Sequence, residues 1–339
     1  MGDAFAAVGK TSLNTPEPNK HRTNRASQET RNSSSPTSAW QIPRGVSKGN
    51  WDYVRAGQIA EGYDQFLDGD PLNVIDRQII NRYLPALDSV KSTDQAMDRP
   101  IVADFGCGTG RTLLPLLNSG YRGVAIDLSI PMLAKLKEKF EINFSDPRNQ
   151  RQGQSQPGSQ NKPPEDLEHL PKNESTKPSG QDDLLMLQAN LVELNGLADD
   201  SIDHGISLFS TLGMIEKATN RARFLQHVRR VIKPNGQFIL HAHNAWFQVR
   251  HPRGIRWAAS SAWSQLRGIG DFGDRTATYR GVNQMFIHSF RKTELKRALE
   301  NAGFKKQTWF GILPGATAPV EKFPLASFLR LVGWIVVCS

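Results

Sequence analysis

Apolar and polar positions along the chain alternate between a strand-like and a helix-like period. RPIVADFG (99–106) is a nearly unbroken apolar run ending at a glycine, the pattern of a buried strand. RTLLPLLNSG (111–120) then reads as a helix stopped by Gly120. YRGVAIDLS (121–129) predicts a second strand, and SIPMLAKLKEKF (129–140) a helix with Ser129 as cap and Pro131 in its first turn. LLMLQA (184–189) and DHGISLFS (203–210) predict a third and fourth strand. NRARFLQHVRRVI (220–232) places Phe224, Val228, Val231 and Ile232 on one helical face. KPNG then turns the chain into a fifth strand, QFILHAHN (237–244). TELKRALENAGF (293–304) predicts a helix ending at Gly303, and KKQTWFGI (305–312) and LVGWIVVC (331–338) two late strands able to pair antiparallel. Ahead of these, WDYVRAGQIAEGYDQF (51–66) and PLNVIDRQIINRYL (71–84) read as helices covering one end. Strands alternating with helices imply right-handed crossovers and a mainly parallel sheet, an α/β fold. The sequence shows no internal repeat.

Composition interrupts this pattern twice. Residues 1–48 are rich in Asn, Ser, Thr and Pro and carry seven Lys/Arg against three Asp/Glu. So few apolar positions cannot offset chain entropy, and a disordered tail is expected. Between Ser145 and Asp183 stand six Pro, six Gln and five Ser, with only Leu167 and Leu170 as large apolar residues. That is expected to be a disordered insertion in a single domain spanning 49–339. It joins a helix to the start of the third strand, which puts it at the amino ends of the strands.

The 339 residues carry 42 Lys/Arg against 33 Asp/Glu, a formal net charge of +9. This fits anionic partners or plain solubility. Two cysteines, Cys107 and Cys338, allow neither a disulfide framework nor a zinc site and point to a reducing, cytoplasmic setting with no metal. The amino-terminal segment lacks the pattern of a secretory leader, and Ala6 stands where a myristoylation signal wants Ser or Thr. The longest apolar run, 331–338, is too short to span a bilayer, so no membrane partner is expected.

The chemistry lies in VADFGCGTGRT (102–112). A Gly-rich turn behind a first strand meets a nucleotide at the carboxyl ends of a parallel sheet. Asp127, closing the second strand, suits two vicinal ribose hydroxyls without saying which nucleoside carries them. The spacing discriminates. A dinucleotide fingerprint wants its third glycine at 111, where this chain has Arg, and the third glycine arrives early at 110. Asp104 precedes the turn. An acid followed by G-x-G-x-G suits a ligand with an ammonium and a carboxylate and no diphosphate.

DFGCGTG, then VAID, QANL and RVIKPNGQFIL, closely resemble the motifs of class I S-adenosylmethionine-dependent methyltransferases, over roughly residues 50–339. The resemblance implies a Rossmann-like three-layer sandwich, a mostly parallel seven-stranded sheet with its last strand antiparallel, and S-adenosyl-L-methionine as cofactor. It implies that Asp104 orders the glycine turn or meets the methionine ammonium, and that Gly106, Gly108 and Gly110 let the main chain approach the methionine moiety. Asp127 would hold the ribose, with Leu128 beside the adenine and Leu191 packed on it. Asn190 stands where relatives often have Asp; an amide can both accept from the adenine amine and donate to a ring nitrogen. Phe209 or Ser210 would line the sulfonium, and Tyr63 looks like the aromatic that closes over the cofactor.

Methyl transfer needs alignment above all, and a base only where the acceptor loses a proton. His241 and His243 stand at alternate positions at the end of the fifth strand, on one face, and are candidate bases, with His243 nearer the rim. A pair of structural histidines is the competing reading, and His288 is the weaker candidate. The fourth strand ends SLFSTL, without the Asn/Asp-Pro-Pro-aromatic set that presents a base's exocyclic amine, which disfavours adenine or cytosine N-methylation. Residues 245–292 are expected to form an acceptor-side lid. Across 245–310 stand twelve Lys/Arg against four Asp/Glu, with Trp246, Trp257 and Trp263 interleaved with Arg250, Arg253 and Arg256. That set can hold a small planar or anionic acceptor, meet RNA, or form a solvated basic lid with core tryptophans. A small-molecule acceptor is the leading reading. A nicotinamide-dependent oxidoreductase and a non-catalytic cofactor- or RNA-binding module are the alternatives, and oligomeric state is open.

Overall fold

The computed structural model describes residues 42–87, 99–145, 183–322 and 328–339. Residues 1–41 of the expected tail and 146–182 of the expected insertion lie outside the described residues. Seven strands form one sheet: β1 (Ile101–Phe105), β2 (Arg122–Asp127), β3 (Leu184–Gln188), β4 (Ile202–Ser207), β5 (Ile232–His243), β8 (Gln307–Ile312) and β9 (Gly333–Cys338). Their order is β3-β2-β1-β4-β5-β9-β8. β9 runs antiparallel to both β5 and β8, while the pairs among β1 to β5 are parallel. This is the Rossmann-like sheet with an antiparallel last strand.

Alternation along β1 sets the three layers. Val102 faces one side with α4 (Pro71–Tyr83), α5 (Leu113–Asn118) and α6 (Ile130–Ser145), through Leu72, Ile75, Leu113, Leu117 and Leu136. Ala103 and Phe105 face the other side with α7 (Ala218–Val231) and α9 (Lys292–Ala302), through Phe224, Val228, Leu295 and Leu299. The helices form where sequence signals ask for them. Asp70 accepts the N–H of Leu72 and Pro71 opens α4, and α9 ends at Gly303 with φ of 104°. The leading segment is three short helices, α1 (Lys48–Arg55), α2 (Gly57–Glu61) and α3 (Tyr63–Leu67).

Three features depart from the sequence pattern. KPNG lies inside β5 as an irregularity in its pairing with β4. Gly236 is required there because a Cβ would sit 2.2 Å from the Asp203 carbonyl oxygen. Residues 42–48, placed in the tail by composition, are instead packed on the domain: Ser47 is buried and caps α1, Val46 is half-buried, and Gly45 accepts from the Glu216 N–H at 2.8 Å. A separate antiparallel hairpin, β6 (Asp274–Tyr279) with β7 (Val282–His288), follows a 3-10 turn (Ala245–Arg250) and α8 (Pro252–Leu266). Its two-residue loop, Arg280 and Gly281, has φ of 49° and 82°, matching the twist of a hairpin.

Asn50 in α1 holds that hairpin, donating to the carbonyls of Met214 and Phe286 and accepting the Phe286 N–H at 2.9 Å. His288 lies wholly buried between Asp274 (2.7 Å) and Glu294 (2.8 Å), tying β7 to β6 and α9. Its place is structural.

Candidate active site

The strand order reverses between β1 and β4, and two adjoining cavities open at the carboxyl ends of the strands, where ligands of such sheets sit. The first is built on the glycine turn. Gly106, Gly108 and Gly110 have φ of 92°, 53° and 77°, a region that other residues enter only with strain. The three glycines differ in what they leave room for. A Cβ on Gly108 would meet nothing nearer than Tyr63 Cε1 at 3.7 Å, so the main chain there is open to a ligand. A Cβ on Gly106 would meet Thr211 at 2.6 Å. On Gly110 it would strike Leu136 Cδ1 at 2.2 Å, and Gly110 does not line the cavity. Its bareness serves packing against α6, not ligand approach, which corrects the role expected of it.

Asp127 braces the turn. One carboxylate oxygen accepts the Gly108 N–H and the other the Ser129 N–H, each at 2.8 Å. Burial pushes its carboxyl above the ordinary range, opposed by the N–H groups of Ser129, Gly108 and Leu128. Each oxygen keeps a lone pair for a further donor. Leu128, Leu191 and Met132 give the cavity apolar walls, and Tyr63 and Phe209 also line it. Tyr63 is held by its neighbour: Thr109 Oγ1 donates to Asp64 at 2.6 Å, and Lys139 pairs with the other Asp64 oxygen at 2.9 Å.

Asn190 lines the same cavity with its amide partly engaged. It accepts the Val192 N–H at 3.2 Å and donates to the Arg44 carbonyl at 3.0 Å, leaving one N–H and one lone pair. Asp104 does not line the cavity. It is buried beneath the turn, where burial pushes its carboxyl up to about 8 against the pull of Arg111. Arg111, standing where a dinucleotide fingerprint has glycine, pairs with the buried Asp76 at 2.9 Å and lies over the Phe209 ring at 4.8 Å.

The second cavity is lined by Tyr53, Tyr63, Phe66, Phe209, His241, His243 and Tyr279, among others. It shares Tyr53, Tyr63, Phe209 and Met214 with the first. The two histidine rings meet edge to face with centroids 5.2 Å apart. His241 is fully buried with no hydrogen-bond partner on either ring nitrogen. Burial, with His243 and Arg111 nearby, holds its imidazole well below the usual range, and burial with Arg275 brings His243 down to about 3. Phe209 and Ser210 carry φ of 55° and 62°, strained for non-glycine residues, at the wall between the cavities.

The tryptophan and arginine set of 245–267 lies elsewhere. Trp246, Trp257, Trp263, Arg250, Arg253 and Arg256 line neither cavity. Trp246 and Trp257 pack around Phe272 with centroids 5.5 and 5.8 Å away. Sequence reasoning missed Gly45, Val46, Asn50, Tyr53 and Thr211 in the first cavity, and Phe66, Tyr279, Met285 and Ile287 in the second. The aromatic spacing around Tyr53, Tyr63 and Phe66 was the available signal; Gly45 offered none.

A bare glycine turn, a braced acid after β2 and an apolar slot define a nucleoside-binding α/β fold. A methyltransferase domain family matches residues 74–308, and the chain belongs to it. It is a methyltransferase of the class that uses S-adenosylmethionine. Among solved structures it is similar to a SAM-dependent methyltransferase from Methanosarcina mazei, at 16% identity over 77% of this chain and 95% of that one, TM-score 0.49. It is also similar to the CcbJ methyltransferase from Streptomyces caelestis, at 15% identity over 83% and 95%, TM-score 0.46. A third is the 1,6-didemethyltoxoflavin-N1-methyltransferase of Burkholderia thailandensis, bound to 1,6-didemethyltoxoflavin and S-adenosylhomocysteine, at 14% identity over 86% and 90%, TM-score 0.44. No curated protein sequence matches.

Proposed function

We propose that the first cavity holds the methyl donor and the second a small, planar, uncharged acceptor. The observation that carries this is the wall of Tyr53, Tyr63, Phe209 and Met214 shared by the two cavities, since a transferred group must cross between adjoining sites. The residues fit the donor. The space over Gly108 admits a ligand to the main chain, and Asp127 keeps lone pairs for ribose hydroxyls. Among the described residues no Lys or Arg lines this cavity, so they give a diphosphate no counter-charge there, which weighs against a nicotinamide cofactor.

When bound, S-adenosylmethionine supplies a methyl on a positive sulfur, and the electron pair of the broken C–S bond stays on sulfur. The chain's own part is to bind, orient and exclude water. Tyr53, Tyr63 and Tyr279 wall the acceptor space, and Phe209 and Met214 keep the crossing point dry. The neutral His241 and His243 rings form part of the wall beside the acceptor. An imidazole held as low as His243 is a weak base, so its part is to orient the acceptor and not to deprotonate it beforehand. An anionic acceptor fits less well than the sequence implied, because no Lys or Arg among the described residues lines this cavity either. The buried thiols of Cys107 and Cys338 and the absence, among the described residues, of any helix able to cross a membrane accord with a cytoplasmic enzyme.

Titration with S-adenosylhomocysteine and NADH tests the donor, and label transfer from methyl-labelled donor into small-molecule, RNA and protein fractions of a cell extract tests the acceptor. Heat on S-adenosylhomocysteine addition, silence with NADH and label in small molecules are expected. Tight NADH binding, or label confined to RNA, overturns the reading.

A further inference from the structure

The helix α8 turns its apolar side outward. Ile255, Ala259, Ala262, Trp263 and Leu266 fall at intervals of four, seven, eight and eleven residues, one continuous stripe. Ile255 is 60% exposed, Trp263 58% and Leu266 82%, and Ile269 just beyond the helix is 74% exposed. The stripe facing the protein is Gly254, Trp257, Ser261 and Ser264, which apart from Trp257 are small or polar. Ser261 accepts the Gly273 N–H at 3.0 Å, and Trp257 donates to the Asp274 carbonyl at 3.2 Å. A surface helix ordinarily does the reverse, hiding its aliphatic side chains in the core.

Charge says what covers this stripe. From Ala245 to Gly270 stand four arginines, Arg250, Arg253, Arg256 and Arg267, and no Asp or Glu. Arg253, Arg256 and Arg267 are exposed along one flank of the stripe, and Arg267 lies over the Trp263 ring at 4.9 Å. A second copy of this chain would set arginine against arginine. RNA would satisfy the arginines and leave Ile255, Leu266 and Ile269 in water. A surface both anionic and apolar at shallow depth meets both halves of the pattern, with tryptophan at the level it prefers.

We propose that α8 docks the protein on an anionic lipid bilayer surface, lying in the interface with Ile255, Trp263, Leu266 and Ile269 inserted and the arginines among the headgroups. The expectation of no membrane partner rested on spanning length, and a helix lying on a surface needs no such length. The inference stands apart from the methyl-transfer reading, since none of these residues lines either cavity.

The test is flotation of the full chain with vesicles of phosphatidylcholine alone and of phosphatidylcholine with about 30% phosphatidylserine. Binding is expected to the anionic vesicles only, falling at least tenfold in Ile255→Ser/Leu266→Ser and in Arg253→Gln/Arg256→Gln/Arg267→Gln. All five positions are exposed, so thermal melts should match the parent and show the fold intact. Comparison of parent and variants separates α8 from the basic amino-terminal segment. No flotation with anionic vesicles at low salt overturns the proposal. So does binding that the Ile255→Ser/Leu266→Ser variant retains, which would mean charge attraction alone with no insertion of the stripe. Self-association in light scattering that this variant abolishes, without flotation, assigns the stripe to a second copy and equally overturns it.

Discussion

The carboxylate of Asp127 accepts the main-chain N–H of Gly108 at 2.8 Å, across the crevice between β2 and the turn after β1. One side chain thus braces the floor of the first cavity, where we propose that it also meets the ribose. Removing it has two separable effects. Asp127→Ala should weaken S-adenosylhomocysteine binding by ten- to a hundredfold, the loss of hydrogen bonds to a charged group worth about 1.5–3 kcal/mol. The ligand-free protein should also melt lower, because the Gly108 and Ser129 N–H groups lose their partner. Calorimetric titration and a melt without ligand read the two. Unchanged affinity would take Asp127 out of the donor site.

Gly108 and Gly110 sit two residues apart and should fail differently. At Gly108 a side chain points into open space, so Gly108→Val should fold with only the strain of its φ and lose donor binding. At Gly110 a Cβ would meet the fully buried Leu136, so Gly110→Val should lose stability first, by about 1–3 kcal/mol of overpacking or more. Denaturant melts beside titrations decide it. A stable Gly110→Val protein that merely fails to bind would return Gly110 to the ligand.

That pair also marks what the sequence could carry. The spacing of glycines, the acid after β2 and the apolar runs of β1 to β5 are local patterns, each dictated by the backbone they form. Which of three glycines faces a ligand depends on Leu136, in the next helix, and has no local signature. Likewise β6 and β7 were hidden, because TATY and VNQMFIH mix polar and apolar positions and their loop is Arg-Gly instead of Asn-Gly. The segment 42–48 is polar by composition yet packs through Gly45 and Val46 onto distant elements. The tryptophans of 245–263 announced aromatic chemistry and serve packing or the outer surface.

The Thr109 to Asp64 hydrogen bond latches α3, and with it Tyr63, onto the glycine turn. Thr109→Val keeps the shape and removes the donor. Donor affinity should fall several-fold through a faster off-rate, as about 1 kcal/mol of hydrogen bond is lost, with little change in melting temperature. Stopped-flow dissociation of S-adenosylhomocysteine measures it. An unchanged off-rate would mean that Tyr63 stays closed without the latch.

The described residues that flank 146–182, Ser145 at the end of α6 and Asp183 before β3, stand at the amino ends of the strands. Asp183, just before β3, pairs with Arg99 just before β1. Replacing residues 146–182 with a short Gly/Ser linker should therefore leave S-adenosylhomocysteine affinity within twofold. A large loss by calorimetry would place the segment against the cleft.

The two cavity histidines should leave a mark on stability. An unfolded histidine takes a proton near pH 6.5. His243 resists it down to about 3, and His241 is also held well below its usual range, in both cases chiefly through burial. Below pH 6.5 the unfolded chain therefore binds protons that the folded chain refuses. Stability fully present above pH 6.5 is lost as pH falls toward 3, by at most about 1.4 kcal/mol per pH unit for each histidine. His241→Phe fills the same space and cannot titrate, so its stability should fall less steeply between pH 7 and 5 than the parent's. Carboxylates common to both proteins cancel in that difference. For turnover the sign is simpler: neutral rings need no deprotonation, so label transfer should show no acid limb from them above pH 5. His243→Ala should cut turnover at least tenfold while donor affinity holds. Equal slopes in the melts would show that the His241 imidazole takes up its proton in the fold as readily as in the unfolded chain, and unchanged turnover in His243→Ala would take that ring out of the reaction.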